Sequence, residues 1–541
     1  MRAQISLCAA AALSVFVIGC GTEGQHDAAT SSELYESAPA ARPAAAALDV
    51  AMSDESAPDG VSRVASNNEE YDSIVENRFV SPLKNPLSTF SIDVDTASYS
   101  NVRRFLNDNV MPPPAAVRIE ELINYFKYDY SPPEGEHPFS VNLEVAQCPW
   151  QSEHWLARVG LKGLEIDREQ KPAANLVFLL DVSGSMNSPA KLPLVKSAMR
   201  MLLDQLDEND RVAIAVYAGA SGLVLPPTSA SDRGTILLAL ERLKAGGSTN
   251  GGQGIQLAYQ TAAKNLIQDG VNRVILCTDG DFNVGITDRS DLIDLIQTEA
   301  KRGVFLSVLG FGTGNLKDAT MEQLADKGNG NYGYIDSLQE ARKLLVEDAL
   351  GTLVTIAKDV KIQVDFNPQH VQAYRLIGYE NRMLQAEDFR DDKKDAGEIG
   401  AGHTVTALYE IVPAGIESAA LAVEPSKYQE VVIESSGPAD EVMTVRLRYK
   451  HPEGDDGIEF HVSARVPVKD SLGSEDFQFA ASVAGFGMLL RGSEFSGNAT
   501  FELIEELAHN GIGQSDDNYR QEFLRLIDTA ELLSSHQIAG R

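Results

Sequence analysis

The sequence predicts an α/β protein: a doubly wound, mostly parallel sheet, inserted in or flanked by a β-sandwich-like domain and followed by a helical C-terminal region. Three observations predict it. Over residues 174–350, unbroken apolar runs such as Leu176-Val177-Phe178-Leu179-Leu180 and Val274-Ile275-Leu276-Cys277 alternate with helical stretches. Strands without a polar face are buried on both sides, the condition of a parallel sheet covered by helices. Before residue 170 and after residue 351 the strands alternate apolar with polar residues, as half-buried antiparallel strands do. Residues 476–536 then read as helices, broken at Ser496-Gly497 and near 511–513.

In chain order, residues 1–19 begin with Arg2 and continue as an uncharged, mostly apolar run too short to span a bilayer comfortably. The run ends in Val17-Ile18-Gly19-Cys20, which resembles the lipobox of bacterial lipoproteins. That resemblance implies cleavage before Cys20 and lipidation of Cys20, with acyl chains rather than a helix as the anchor. The expected location is the cell envelope, lipid-anchored and extracytoplasmic, facing the periplasm or the cell surface. Residues 20–82 are poor in aromatics and rich in Ala, Ser, Pro, Asp and Glu, and read as a disordered tether.

Residues 83–170 form an N-terminal segment, with a strand over 87–94, a helix over 98–107 capped by Asp95 or Thr96, and a break at Pro112-Pro113-Pro114. A helix over 119–128 and an antiparallel pair over 139–148 and 155–164 follow. Asp93 and Asp95 read as strand-end and cap residues rather than metal ligands. Residues 171–350 are the α/β domain, with helices over 194–206, 236–243, 254–266, 292–300, 321–325 and 338–350. Its further strands lie over 212–217, near Leu223, and over 304–309. Residues 351–470 are strand-rich, at 360–364, 404–411, 431–434, 442–449 and 459–464. These strands are expected to complete the sheet begun at Phe139, which would make the α/β domain an insertion. Residues 471–541 are the helical region.

An apolar fraction of 43% and a charged fraction of 23% are those of a globular protein. The net charge of −32 repels phosphate backbones and anionic lipid, which argues against nucleic acid or polybasic membrane docking. With Cys8 leaving in the signal and Cys20 lipidated, Cys148 and Cys277 remain. Cys277 reads as a buried thiol. A disulfide between the two stays open, although nothing in the sequence brings them together.

Three segments carry chemistry: Asp181-Val182-Ser183-Gly184-Ser185 directly after the first apolar strand, Gly246-Gly247-Ser248-Thr249-Asn250 after a helix, and Thr278-Asp279-Gly280 after strand 274–277. The first and third fall at carboxyl ends of strands, the edge where open α/β sheets bind ligands. Two carboxylates and three hydroxyls make a hard-oxygen set suited to Mg²⁺, with Mn²⁺ or Ca²⁺ also admissible. A set made mostly of hydroxyls leaves such an ion short of negative charge and open to one more anionic oxygen.

In these segments residues 174–350 resemble the von Willebrand factor type A (vWA) family, whose metal-ion-dependent adhesion site uses D-x-S-x-S, a distant Thr and a distant Asp in a T-D-G-like turn. The resemblance implies Asp181, Ser183 and Ser185 from the first loop, Thr249 from the second and Asp279 from the third as cation ligands. It implies binding, through the ion, of an Asp or Glu carboxylate on a protein partner. Some integrin subunits carry acidic residues just after the last serine that build a second cation site. Here that stretch is Met186-Asn187-Ser188-Pro189, so a single ion is expected. Asp281 and Asn283 read as rim residues. Residues 85–99 and the strand-rich part after 351 also resemble bacterial vWA lipoproteins with a characteristic N-terminal segment and a C-terminal domain of unknown function. That likeness implies an organisation and no activity.

Enzyme signatures are missing from the sequence. It has no G-x-x-x-x-G-K-[ST], no G-x-S-x-G and no H-E-x-x-H. The cation loops contain no His to act as a base, and neither Cys nor His clusters as zinc requires. Gly310-Phe311-Gly312-Thr313-Gly314 has the wrong spacing for a dinucleotide loop and reads as a tight turn. The expected function is therefore a non-enzymatic binding module. Its alternatives are an envelope scaffold independent of the metal site and, less favoured, a metal-dependent hydrolase. The sequence leaves the oligomeric state open.

Overall fold

The computed structural model describes residues 69–92, 95–218, 221–247, 251–280, 289–314, 316–394, 396–416, 438–512 and 518–539. The signal peptide, Cys20, Asp93, Thr249, Asp281, Asn283 and the strand expected over 431–434 lie outside the described residues.

Among the described residues the α/β sheet has six strands, in the order Gly222–Ser229, Arg211–Tyr217, Ala174–Asp181, Val271–Thr278, Phe305–Phe311 and Tyr332–Ile335. Gly222–Ser229 runs antiparallel to its neighbour and the other pairs are parallel. Every residue of the central strand Ala174–Asp181 is buried. The pleat sends Phe178 and Leu180 to a core shared with Val195, Met199, Ile214 and Leu240. On the other face Val177 and Leu179 meet Ala213, Ile255, Tyr259 and Leu276. Helix Leu192–Leu203 presents Leu192, Val195, Met199 and Leu202 at helical spacing to the first of these cores.

Two features of this domain differ from the expectation. Strand Tyr332–Ile335 has only four residues with a glycine among them, and sequence pattern did not reveal it. The helix expected over 338–350 is interrupted: Leu338–Arg342 is α-helical, Lys343–Glu347 is a π turn, and Ala349–Leu353 resumes the helix. The cause is local. The Asp348 N–H donates to Lys343 O at 2.8 Å, and the buried Lys343 Nζ reaches back to Asp348 Oδ2 at 2.9 Å. A five-residue repeat satisfies both groups at once.

Strands before and after this domain pair with each other. Trp155–Gly163 lies antiparallel between Phe139–Gln147 and Thr404–Pro413, and Val371–Ile377 completes that sheet. The facing sheet runs Met383–Leu384, Leu87–Ser91, Thr355–Phe366, Glu441–Lys450 and Ile458–Arg465, with Ile399–Gly400 against Thr355–Phe366. Phe90, Val159, Ile362, Tyr409 and Leu447 share the core between the sheets, and Phe366 stacks on Tyr374 at 4.1 Å. Of the described strands expected to complete the sheet begun at Phe139, Thr404–Pro413 does so, whereas those at 360–364, 442–449 and 459–464 lie in the facing sheet with Leu87–Ser91; the α/β domain is inserted in the β-sandwich that the two sheets make. Val371–Ile377 is a strand the sequence reading passed over. Its Arg375 is 2% exposed and pairs with Glu410 at 2.9 Å.

Helices Glu475–Arg491, Phe501–Ile512 and Asn518–Ala539 form the expected C-terminal helical region, packed on the N-terminal segment. Phe479, Phe486, Ile504 and Phe523 share one core with Tyr99, Leu122, Phe126 and Trp150 of the N-terminal segment. The segment read as 83–170 is therefore divided between the sandwich and this helical layer. Thr96, not Asp95, stands at the N-cap of helix Ala97–Asn107, and it makes no side-chain cap. Asp95 instead accepts from the Tyr332 N–H at 2.9 Å, joining the strand end to the edge of the α/β sheet.

The stretch read as tether ends by Glu69. Its carboxylate accepts from Arg104 at 2.9 Å and from the Gly314 N–H at 3.0 Å. Val80 then pairs with Tyr374 through two backbone hydrogen bonds of 2.9 and 3.0 Å. Cys148 and Cys277 are both buried and free. Among the described residues no helix is long and apolar enough to cross a membrane.

His403 sits where the sandwich meets the inserted domain, its ring against Gly351, where a Cβ would fall 2.1 Å from the ring carbon Cδ2. Its Nδ1 is buried without a partner. Burial is the main cause that holds its pKa down to about 4. The unfolded chain takes up this proton near 6.5 and the folded chain only near 4, so acidification between those values favours unfolding. His403→Gln is expected to flatten the dependence of stability on pH in that window by about 1–2 kcal/mol. It should leave the slope above pH 6.5 unchanged, as urea unfolding across pH will show.

Candidate functional site

The parallel sheet places Asp181 at the carboxyl end of its central strand, opposite Tyr217. Asp279 follows the adjacent strand Val271–Thr278 by one residue. Both carboxylates are buried, at 0% and 1% exposure. The first loop is folded by its own polar groups. The Ser183 N–H donates to Asp181 Oδ1 at 2.8 Å, the Met186 N–H donates to Ser183 O at 3.1 Å, and the Ser183 and Ser185 hydroxyls are 2.9 Å apart. Met186, fully buried, pins the loop to the core.

The second loop is stitched onto the first. The Gly246 N–H donates to Val182 O at 2.8 Å and the Gly184 N–H donates to Gly247 O at 3.2 Å. Gly247 has φ +100°, a conformation that L side chains rarely adopt. The third loop turns at Gly280, φ +104°, whose N–H donates to Thr278 Oγ1 at 3.2 Å. The structure thus brings together Asp181, Ser183, Ser185 and Asp279, and it carries the second loop to their edge as far as Gly247, two residues before Thr249.

The electrostatics of the set ask for a cation. Asp181 Oδ2 is buried and has no hydrogen-bond partner among the described residues. Burial, with a smaller contribution from the charge of Asp279, lifts the Asp181 pKa to about 6, against hydrogen bonds from Ser183 and a weaker one from Tyr217. Beneath them the fully buried Tyr217 phenol is pushed well above its ordinary value, by burial first and then by Asp181. A buried carboxylate oxygen without a donor costs stability unless a cation meets it. A hard divalent ion held by Asp181, Ser183, Ser185 and Asp279 fits this set, and its chemistry when bound is that of a Lewis-acidic point for an anionic oxygen.

One residue of the site escaped the sequence reading. Lys191, 7% exposed, places its Nζ 2.7 Å from Asp279 Oδ2. The available signal was a lone cation between the D-x-S-x-S loop and the helix that follows it. The glycine-rich turn at 310–314 behaves as read, with Gly312 and Gly314 at φ +77° and +96°. A cavity of about 310 Å³ opens between the inserted domain and the sandwich, and none of the site loops lines it. Its charges are already paired, Lys127 and Lys343 with Asp348 at 2.6 and 2.9 Å and Lys162 with Glu165 at 2.8 Å, so it reads as a polar domain junction.

A six-stranded, mostly parallel sheet with helices on both faces and a D-x-S-x-S loop at its carboxyl edge defines a von Willebrand factor type A protein. The family model for the von Willebrand factor type A domain matches residues 175–347, and a model described as von Willebrand factor matches 65–158. A third, for the C-terminal part of the uncharacterized protein YfbK, matches 351–533. The chain belongs to the family of YfbK from Escherichia coli (strain K12), with which it is 42% identical over 471 residues, 85% of this chain and 81% of that one. It is also similar to the uncharacterized protein sll0103 of Synechocystis, 33% identical over 184 residues, 34% of this chain and 43% of that one. Among solved structures, a von Willebrand factor type A protein from Catenulispora acidiphila aligns at 17% identity with a TM-score of 0.41, covering 71% of this chain and 89% of that one. Domains of this type are generally adhesion or protein-interaction modules.

Removing the uncompensated charge should stabilise the metal-free protein. Asp181→Asn is expected to raise unfolding stability in chelator by about 1–3 kcal/mol, because the buried site then no longer holds an unmet carboxylate oxygen. Thermal melts in EDTA beside wild type will read this.

Proposed function

We propose that the protein is a lipid-anchored, extracytoplasmic binding module that holds Mg²⁺ and, through it, a carboxylate of a partner protein. Asp181, Ser183, Ser185, Thr249 and Asp279 are the proposed ligands, and Cys20 is the proposed lipid attachment point. The observation that carries the reading is the buried Asp181 Oδ2, which has no hydrogen-bond partner among the described residues, beside Asp279, on an edge where the Asp181 loop is hydrogen-bonded to the Gly246-Gly247 loop. With five oxygens from the chain, a Mg²⁺ ion there keeps one octahedral position open, which an Asp or Glu from another chain can fill. No general base is assigned in the loops, and the proposal is of binding without turnover.

Calorimetric titration of the chain from Ala65 onward is the first test. One Mg²⁺ should bind to wild type and none to Asp181→Ala. Thermal melts should rise with Mg²⁺ in wild type alone. Failure of wild type to bind would leave the fold with a scaffolding role carried by the sandwich and helical layers.

Anchoring is tested separately. The full-length protein should take up a labelled fatty acid and sediment with membranes, and Cys20→Ser should abolish both. Unchanged sedimentation of the serine variant would overturn the lipid assignment.

A further inference from the structure

Lys191 stands at the N-cap of helix Leu192–Leu203, ten residues after Asp181, and its ammonium points into the carboxylate pair. Its stem lies in a prepared seat. At Gly312, in the loop after strand Phe305–Phe311, a Cβ would fall 2.3 Å from Lys191 Cε and 2.4 Å from its Cγ. Only a residue without a side chain leaves room for the lysine to cross that loop, and φ +77° at Gly312 suits the same residue. The Lys191 N–H donates to Ser188 O at 3.0 Å, and Lys191 O accepts from the Val195 N–H at 2.9 Å, so the backbone beneath the side chain is fixed.

The charges then make an incomplete balance. Two buried carboxylates face one ammonium, and that ammonium sits on Asp279 and not on Asp181. A divalent ion neutralises both carboxylates by itself. Once it is in place, an ammonium on the same carboxylate adds a repelled positive charge in a poorly screened site. The lysine also has a way out. The turn of residues 187–190 before it is exposed, so an ammonium displaced from Asp279 has water beside its own loop.

We infer that Lys191 is a built-in counter-ion of the cation site, which neutralises Asp279 when no divalent ion is bound and is displaced when one enters. The inference rests on the cation site proposed above and adds to it that the chain itself competes with the ion. Apparent Mg²⁺ affinity is therefore set below what the oxygen ligands alone would give, and the metal-free domain remains folded because the lysine covers half of its excess charge.

Lys191→Met and Lys191→Gln, titrated with Mg²⁺ by calorimetry, should bind at least about tenfold more tightly than wild type, since the competing cation is gone. In EDTA both should melt below wild type, and with saturating Mg²⁺ the gap should close. Equal or weaker Mg²⁺ binding by folded variants would overturn the inference while leaving the cation site intact. Absence of binding by wild type and both variants would remove the cation site and the inference together. A readout on wild type guards against misfolded variants: acylation of the Lys191 amine by an activated ester, followed by mass spectrometry. Labelling at Lys191 should rise with Mg²⁺ and stay low in Asp181→Ala, whereas labelling indifferent to Mg²⁺ in wild type would count against displacement.

Discussion

Burying Asp181 and Asp279 side by side at the end of an apolar parallel sheet commits this protein to a compensating cation. The sheet fixes the positions. Asp181 is the last residue of a strand with no exposed position, so it cannot turn to water without unpairing from Tyr217. Every other arrangement at that edge serves the two carboxylates. The Ser183 N–H covers one Asp181 oxygen, the Gly246-Gly247 turn is tied across Val182 and Gly184, and Gly312 clears space for Lys191. Desolvation is the dominant electrostatic fact of the site, and a hydroxyl-rich ligand set does little to relieve it.

A second set of buried charges holds the inserted domain to its frame. Arg103 of the N-terminal segment lies 2.7 Å from Glu340 of the α/β domain and 3.1 Å from Glu522 of the last helix. Arg118 joins Glu121 to Asp318 and Glu322, all within 2.9 Å. Such pairs contribute little net stability over apolar contacts, but losing one partner leaves a buried charge unmatched. They specify one docking arrangement of the three layers. The inserted domain is thereby part of a single framework, with a strand before it and a strand after it paired at Trp155–Gly163 and Thr404–Pro413.

How much of this was legible in the sequence follows from where each signal resides. Strands buried on both faces announce themselves as apolar runs, so 176–180 and 274–277 were read directly, and with them the carboxyl edge that carries Asp181 and Asp279. Strand Val371–Ile377 was not, because its buried Arg375 looks like a solvent-facing residue until Glu410 is brought to it by a pairing partner 35 positions away. The π turn at Lys343–Glu347 was invisible for a similar reason: helical periodicity is intact through it, and only the burial of Lys343 against Asp348 changes the repeat. Within the site, the ligands resembling the family motif stood out because their spacing is fixed by the loops that carry them. Lys191 did not, since its role comes from a glycine more than a hundred residues later.

The same topology explains why the site and the frame do not interfere. The insertion enters at the start of strand Ala174–Asp181, where the Ala174 N–H donates to Asp210 and the Val271 N–H donates to Ala173 O. Seven residue steps of strand, about 23 Å, separate that end from Asp181. The carboxyl edge is thus the end of the sheet away from its junction with the sandwich. The segment after the expected tether does reach this edge. Glu69 accepts from Gly314, two residues from the glycine against which Lys191 lies. The loop after strand Phe305–Phe311 is therefore shared, holding the start of the folded chain on one side and the stem of the site's own ammonium on the other. That makes its geometry a determinant of how the charges of Asp181, Asp279 and Lys191 are balanced.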